Sequence, residues 1–221
     1  MNASAVEELL ASPTLPSDSA ELNQLLEREN VARKQFQEDL LPHIKAEFIS
    51  GKVVMHSPAR HQHNVTRGLI ELILSSYCNL DAKKRGIIVS EKALCGFERN
   101  DYEPDVAFFF PEVAAEIKPK DNVYPVPNLI VEVLSQSTEK TDRTLKFQDY
   151  QAHKVREYWI VDPDSQAIEQ YLHTQGSYQH VHTVSLTQTI SPFVLSGLTI
   201  PVKALFDRET CSSFIKTFYQ A

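Results

Sequence analysis

Two apolar segments of this chain each carry an acid that such a segment does not tolerate unaided: Pro104-Asp105-Val106-Ala107-Phe108-Phe109-Phe110 and Leu129-Ile130-Val131-Glu132-Val133-Leu134. Both are short, rich in β-branched or aromatic residues, and bounded by Pro, Asn or Ser, the pattern of strands covered on both faces. A carboxylate in such a strand costs several kcal/mol, roughly, unless a cation or a set of donors answers it. Two of them point to a shared cation. A divalent ion held by acidic oxygens satisfies both at once, and an oxygen-only ligand set argues against zinc.

With 221 residues, 42% of them hydrophobic, the chain is long enough for a single domain with a substantial core. Its three cysteines, Cys78, Cys95 and Cys211, have neither CxxC spacing nor a disulfide pattern, which fits a reducing cytoplasm. No signal-peptide pattern opens the chain and no apolar run approaches a membrane span, so a soluble protein is expected. The net charge of −7 weighs against nucleic acid as a partner unless a local basic face exists. Two groups are candidates for one: Lys83-Lys84-Arg85, read as solvated surface, and Lys140, Arg143, Lys146, Lys154 and Arg156.

Residues 1–20, with Pro13, Pro16 and several Ser, Ala and Glu, read as a flexible tail with helical patches before a single domain over 21–221. An amphipathic helix is expected from Glu21 to Lys45, carrying Leu22, Leu25, Leu26, Phe36, Leu40 and Leu41, closed near Pro42, and packed on the domain's side. Phe48 to Met55 reads as a hairpin turning at Ser50-Gly51. The spacing of Val65, Leu69, Leu72, Ile73 and Tyr77 predicts a helix after Ser57-Pro58, and Ile87-Ile88-Val89 starts a strand running towards Leu94. The two acidic strands follow. Ser137-Thr138 then caps a helix to about His153, with Leu145 and Ala152 inward. Glu157 to Val161 is the next strand, Asp162-Pro163-Asp164-Ser165 a turn, and Ala167 to His173, Tyr178 to Ser185 and Leu198-Thr199-Ile200 hairpin material with a turn at Gly176-Ser177; Val202 to Phe218 closes the chain as helix. The fold class is α/β (α+β): a mixed sheet flanked by helices, with extra antiparallel hairpins.

If the acidic strands are neighbours, Asp105 and Glu132 converge on one ion. Lys146, on the following helix, either pairs with Asp142 at the surface or lies beside the carboxylates, where it would orient water and stabilise charge developing on a phosphate. A core ion pair between Glu132 and Lys146 is the structural alternative. The pairs His61 with His63 and His180 with His182 read as surface histidines.

Pro104-Asp105, Ile130-Val131-Glu132-Val133-Leu134-Ser135-Gln136-Ser137-Thr138, Asp142-Arg143-Thr144-Leu145-Lys146 and Val155-Arg156-Glu157-Tyr158-Trp159-Ile160-Val161-Asp162-Pro163, in that order, resemble the Uma-type family of putative restriction endonucleases. That family belongs to the PD-(D/E)XK nuclease superfamily, and the resemblance covers about residues 45–206. It implies a restriction-endonuclease-like core of helix, three strands, helix and strand. The implied activity is Mg²⁺-dependent endonucleolytic hydrolysis of DNA, with Mn²⁺ as a substitute. Asp105 and Glu132, with the Val133 carbonyl, would hold the ion. The superfamily's lysine two residues after the glutamate is here Leu134, so the resemblance transfers that role to Lys146. His61, after Ser57-Pro58, becomes a peripheral site residue. Gln136 replaces a usual proline, and His153-Lys154 a small residue and Gly. A homodimer, able to cut both strands, is expected. The rival is a catalytically silent protein that keeps the fold for binding or scaffolding; an RNA- or nucleotide-directed phosphodiesterase is a third reading.

Overall fold

The computed structural model describes residues 3–40, 44–81 and 85–220. Two helices, α1 (Ala3–Leu10) and α2 (Leu15–Asp39), precede the hairpin β1 (Ala46–Ile49) and β2 (Lys52–Met55), and α3 (His61–Asn79) follows. Next come β3 (Ile87–Ser90), β4 (Leu94–Gly96), β5 (Asp101–Tyr102), β6 (Val106–Phe109), α4 (Pro111–Ala114), β7 (Val123–Tyr124) and β8 (Leu129–Val133). A continuous helical stretch is made of α5 (Glu139–Thr141), a π-helical turn (Asp142–Lys146) and α6 (Phe147–Ala152). Strands β9 (Glu157–Asp162), β10 (Ala167–Thr174), β11 (Ser177–Ser185), β12 (Thr189–Ile190) and β13 (Ile200–Pro201) lead to a 3₁₀ turn (Val202–Leu205) and α7 (Arg208–Thr217).

The central sheet has the order β11-β10-β9-β8-β6-β3. Only β8 and β9 are parallel within it, and a parallel pair needs a crossover, which the α5–α6 stretch supplies. Strands β6 and β8 are buried on both faces, as their composition predicts. Val106, Phe108, Leu129, Val131 and Val133 face α3 and the C-terminal helical segment. The alternate residues Ala107, Phe109 and Ile130 face a second cluster with Phe97, Tyr102, Tyr150 and Tyr158. Period-two alternation therefore assigns Asp105 and Glu132 to this second face. A smaller five-stranded sheet, β2-β1-β5-β4-β7, lies beside it. There Phe36 of α2 meets Phe48, with ring centroids 5.8 Å apart, and joins Ala46 and Leu94.

The hairpin at Ser50-Gly51 forms as expected, both residues taking left-handed φ of 48° and 81°, the conformation a tight two-residue β-turn requires. Other expectations change. The helix expected over 21–45 starts at Leu15 and ends at Asp39, so the described part of the expected tail is α1 and the first turns of α2; Leu41 and Pro42 lie outside the described residues. Its leucines do not pack: Leu22, Leu25 and Leu26 are exposed and Phe36 is the buried residue of α2. The apolar stripe overhangs the domain, and polar contacts from Arg33 anchor the lower half instead. The strand from Ile87 to Leu94 breaks at Glu91 and Lys92, which both take positive φ. The C-terminal helix starts again at Asp207, whose carboxylate caps the Thr210 N–H.

Leu145 and Ala152, expected inward, are exposed. The inward face carries Asp142, Lys146 and Tyr150. Amphipathicity assumes an apolar interior, whereas this helix covers a charged one.

Candidate active site

The register pairs Val106 with Val131 and Ala107 with Ile130. Continued one step, it sets Asp105 opposite Glu132 on the same face of the sheet, and each is only 3% exposed. Asp105 is fully answered by donors. Its Oδ2 accepts the Val133 N–H at 2.9 Å and lies 3.1 Å from His63 Nε2, while Oδ1 accepts Lys45 Nζ at 3.0 Å. Burial alone would raise its pKa; the His63 contact, the Lys45 charge and the Val133 N–H outweigh that and hold it well below the usual carboxylate range. Because a carboxylate only accepts, His63 must present Nε2–H.

Glu132 is answered less completely. Its Oε1 accepts Tyr150 OH at 2.8 Å and Lys146 Nζ at 3.1 Å. The same ammonium lies 2.9 Å from Glu47 Oε1 and 3.4 Å from Asp142 Oδ1. Glu47 also accepts the Glu103 N–H at 3.0 Å and pairs with His56 at 2.9 Å. Burial opposes ionisation of Glu47, but Lys146 and His56 bring its pKa down to about 2. Glu132 goes the other way: burial, reinforced by the charges of Asp142, Asp105 and Glu47 and only partly offset by Lys146, pushes it up. One lysine shared among three acids leaves Glu132 short of positive charge.

The π-helical turn places these groups. The i+4 spacing of Asp142, Lys146 and Tyr150 keeps all three on the buried face, and such local π geometry recurs at functional sites. Leu134, in the position of the superfamily's lysine, is buried in the aromatic cluster, and Lys146 reaches Glu132 from the crossover instead. The structure thus brings Asp105, Glu132, Val133 and Lys146 together. It leaves His61 exposed; His63, two positions on and so on the opposite side of the helix, is the histidine that meets Asp105. His63 was read as a surface residue, yet it continues the buried stripe Thr66, Ile70, Ile73 and Tyr77, a signal available in the sequence. Lys45, Glu47 and Tyr150 carried no local signal of a role, and Asp142 entered only as the i−4 partner of Lys146, a contact that forms in the buried site at 3.4 Å.

These residues open into a cleft of about 680 Å³ lined by Lys45, Arg60, Lys92, Asp105, Glu132 and Lys146, with Ser, Thr and Asn side chains between them. Arg60 spans to Gln136 at 3.1 Å. The group Lys140 to Arg156 does not make one basic face: Arg143 is held by Glu139 and Glu169, Lys146 is buried, and Arg156 lies over the Phe110 ring. Lys83 and Lys84 lie outside the described residues. Among the described residues, no group of three or more His, Cys, Asp or Glu side chains is arranged to hold a metal ion by itself, and no helix is long and apolar enough to cross a membrane.

Residues 33–203 match the model of a family, Uma2, described as "Putative restriction endonuclease". The uncharacterized protein sll1609 of Synechocystis sp. (strain ATCC 27184 / PCC 6803 / Kazusa) is 32% identical over 135 residues, covering 58% of this chain and 71% of that protein. The crystal structure of "a putative nuclease belonging to DUF820" from Anabaena variabilis ATCC 29413 superposes with a TM-score of 0.63 at 19% identity, over 75% of this chain and 90% of the other. At that identity the likeness speaks to the fold.

Proposed function

The chain belongs to the Uma2 family, and from that premise we propose that its cleft hydrolyses DNA phosphodiester bonds endonucleolytically, with Mg²⁺ held by Asp105, Glu132 and the Val133 carbonyl. The observation that carries this reading is the placement of Asp105 opposite Glu132 at the base of an open polar cleft, with Lys146 in contact with Glu132. The residues fit a hard cation. The donor set is oxygen only, Glu132 is short of positive charge, and among the described residues Asp142 Oδ1 is buried without a hydrogen bond, with the shared Lys146 ammonium 3.4 Å away. A divalent ion held there would supply a Lewis acid for the scissile phosphate and lower the pKa of a water for attack, and Mn²⁺ would substitute for Mg²⁺.

The chain's own groups do the rest. Val133 N–H and His63 fix the Asp105 carboxylate, and Tyr150 orients Glu132, so the ligands need no reorganisation when they are used. Lys146 keeps a positive charge beside the reacting centre to stabilise charge on the phosphate. Lys45, Arg60 and Lys92 give the cleft cations for the DNA backbone, which answers the overall charge of −7 locally. A homodimer with two such sites would cut both strands, and three buried free thiols suit a cytoplasmic setting.

One observation favours the rival, a catalytically silent binding or scaffold protein: Lys146 is committed to three acids, as a structural pin would be. Supercoiled plasmid incubated with Mg²⁺ separates the two readings. Wild type is expected to nick or linearise it, and Asp105→Asn and Glu132→Gln to leave it intact while remaining folded by circular dichroism. Equal cleavage by wild type and by the double variant Glu132→Ala with Lys146→Ala would end the proposal. Inertness of wild type at every Mg²⁺ and Mn²⁺ concentration would favour the rival.

A further inference from the structure

We infer that Lys45 is a placeholder cation of the metal site: its ammonium holds the one Asp105 oxygen an incoming ion can take, and thereby sets the affinity for that ion. The inference rests on the metal reading above. A carboxylate oxygen has two lone-pair directions, and on Oδ2 of Asp105 both are occupied, by the Val133 N–H at 2.9 Å and by His63 at 3.1 Å. Oδ1 has one observed partner, Lys45 Nζ at 3.0 Å. An ion joining Asp105 must approach Oδ1, where two cations in contact would repel. Burial favours the neutral amine, but the charges of Asp105 and Glu132 outweigh burial and the repulsion of Lys146 and keep Lys45 an ammonium.

The two lysines of the site differ in a way that assigns them different parts. Lys146 is 3% exposed and touches three carboxylates, so its withdrawal would strand buried charge. The Lys45 side chain is 32% exposed and ion-paired with Asp105, so it can swing into water once an ion takes over its charge there. Its backbone is held where β1 begins, by the His56 N–H donating to the Lys45 carbonyl at 3.0 Å, which leaves a long side chain hinged on a fixed main chain. Without an ion, Lys45 answers the buried Asp105 carboxylate; with one, it is displaced.

Isothermal titration of the full chain with Mn²⁺ tests this directly. If Lys45 closes over Asp105 most of the time, the apparent affinity of wild type is reduced by the open fraction, so Lys45→Met should bind Mn²⁺ about tenfold more tightly. Lys45→Arg, which keeps the charge, should stay near wild type. In the absence of any divalent ion Lys45→Met should melt at lower temperature than wild type, and Mn²⁺ should raise its melting temperature by more. Mn²⁺ binding by Lys45→Met that is unchanged or weaker overturns the placeholder role alone, provided Asp105→Asn abolishes the wild-type heat. If Asp105→Asn binds as wild type does, or neither wild type nor Lys45→Met binds, the metal site fails and the placeholder with it.

Discussion

Replacing Lys146 by Met removes one charge and keeps most of the side chain's volume, so its effect reads the electrostatics of the buried cluster rather than a cavity. The ammonium stands 2.9, 3.1 and 3.4 Å from oxygens of Glu47, Glu132 and Asp142 and is almost fully desolvated. Burial already pushes Glu132 and Asp142 toward their neutral forms, so the loss falls mainly on Glu47, the acid that stays ionised. Holding a carboxyl at about 2 rather than its ordinary 4.5 contributes about 3 kcal/mol at neutral pH. Breaking a buried pair costs about 3–5 kcal/mol in general, which agrees. A folded pKa below the unfolded one means that this stability is present above pH 4.5 and is lost as pH falls towards 2. His56 carries part of that shift, so Lys146→Met should cost up to about 3 kcal/mol at pH 7.5 and progressively less below pH 4.5. The chain has one tryptophan, Trp159, fully buried in β9, and its fluorescence reports urea unfolding. Adding Glu47→Gln to Lys146→Met should return the stability to within about 1 kcal/mol of wild type but not the plasmid cleavage. A loss that does not depend on pH, or one below about 1 kcal/mol, would refute the desolvated cluster. Cleavage regained by the double variant would refute the chemical role of Lys146.

Three further outcomes are expected. Glu103 is 1% exposed, both its carboxylate oxygens lack hydrogen-bond partners among the described residues, and burial pushes it up to about 7. A folded pKa above the unfolded one means stability is lost as pH rises from 4.5 to 7, so Glu103→Gln should be near neutral at pH 4 and stabilise by up to about 3 kcal/mol at pH 8, as urea melts at the two pH values would show. Arg33→Ala leaves the fully buried Asp101 with Gln37 as its remaining side-chain donor and should cost about 3 kcal/mol in the same melts; a negligible change would mean α2 is not docked there. His63→Ala should weaken Mn²⁺ binding by freeing Asp105, whereas His61→Ala should leave the titration unchanged.

Strands β6 and β8 were legible because their signal is local: apolar density, β-branched residues and flanking turn formers lie within each segment. Asp105 and Glu132 were legible for the same reason, since an acid inside such a run is anomalous without reference to anything distant. The family resemblance, rather than spacing, singled out Lys146, because its helical wheel allows either face. Where the pattern misled, it did so through the assumption that buried faces are apolar. That assumption turned Leu145 and Ala152 inward, packed Leu22, Leu25 and Leu26, and passed over His63.

What no reading along the chain could decide is which charges answer which. Lys45 meets Asp105 across 60 residues of sequence, Glu47 reaches Lys146 from β1 of the smaller sheet, and His63 meets Asp105 from the first turn of α3. Burial leaves its mark on the composition of the segment that is buried. Coulombic pairing depends only on separation in space and on the water excluded between the groups, and both arise when the sheets and helices close on one another.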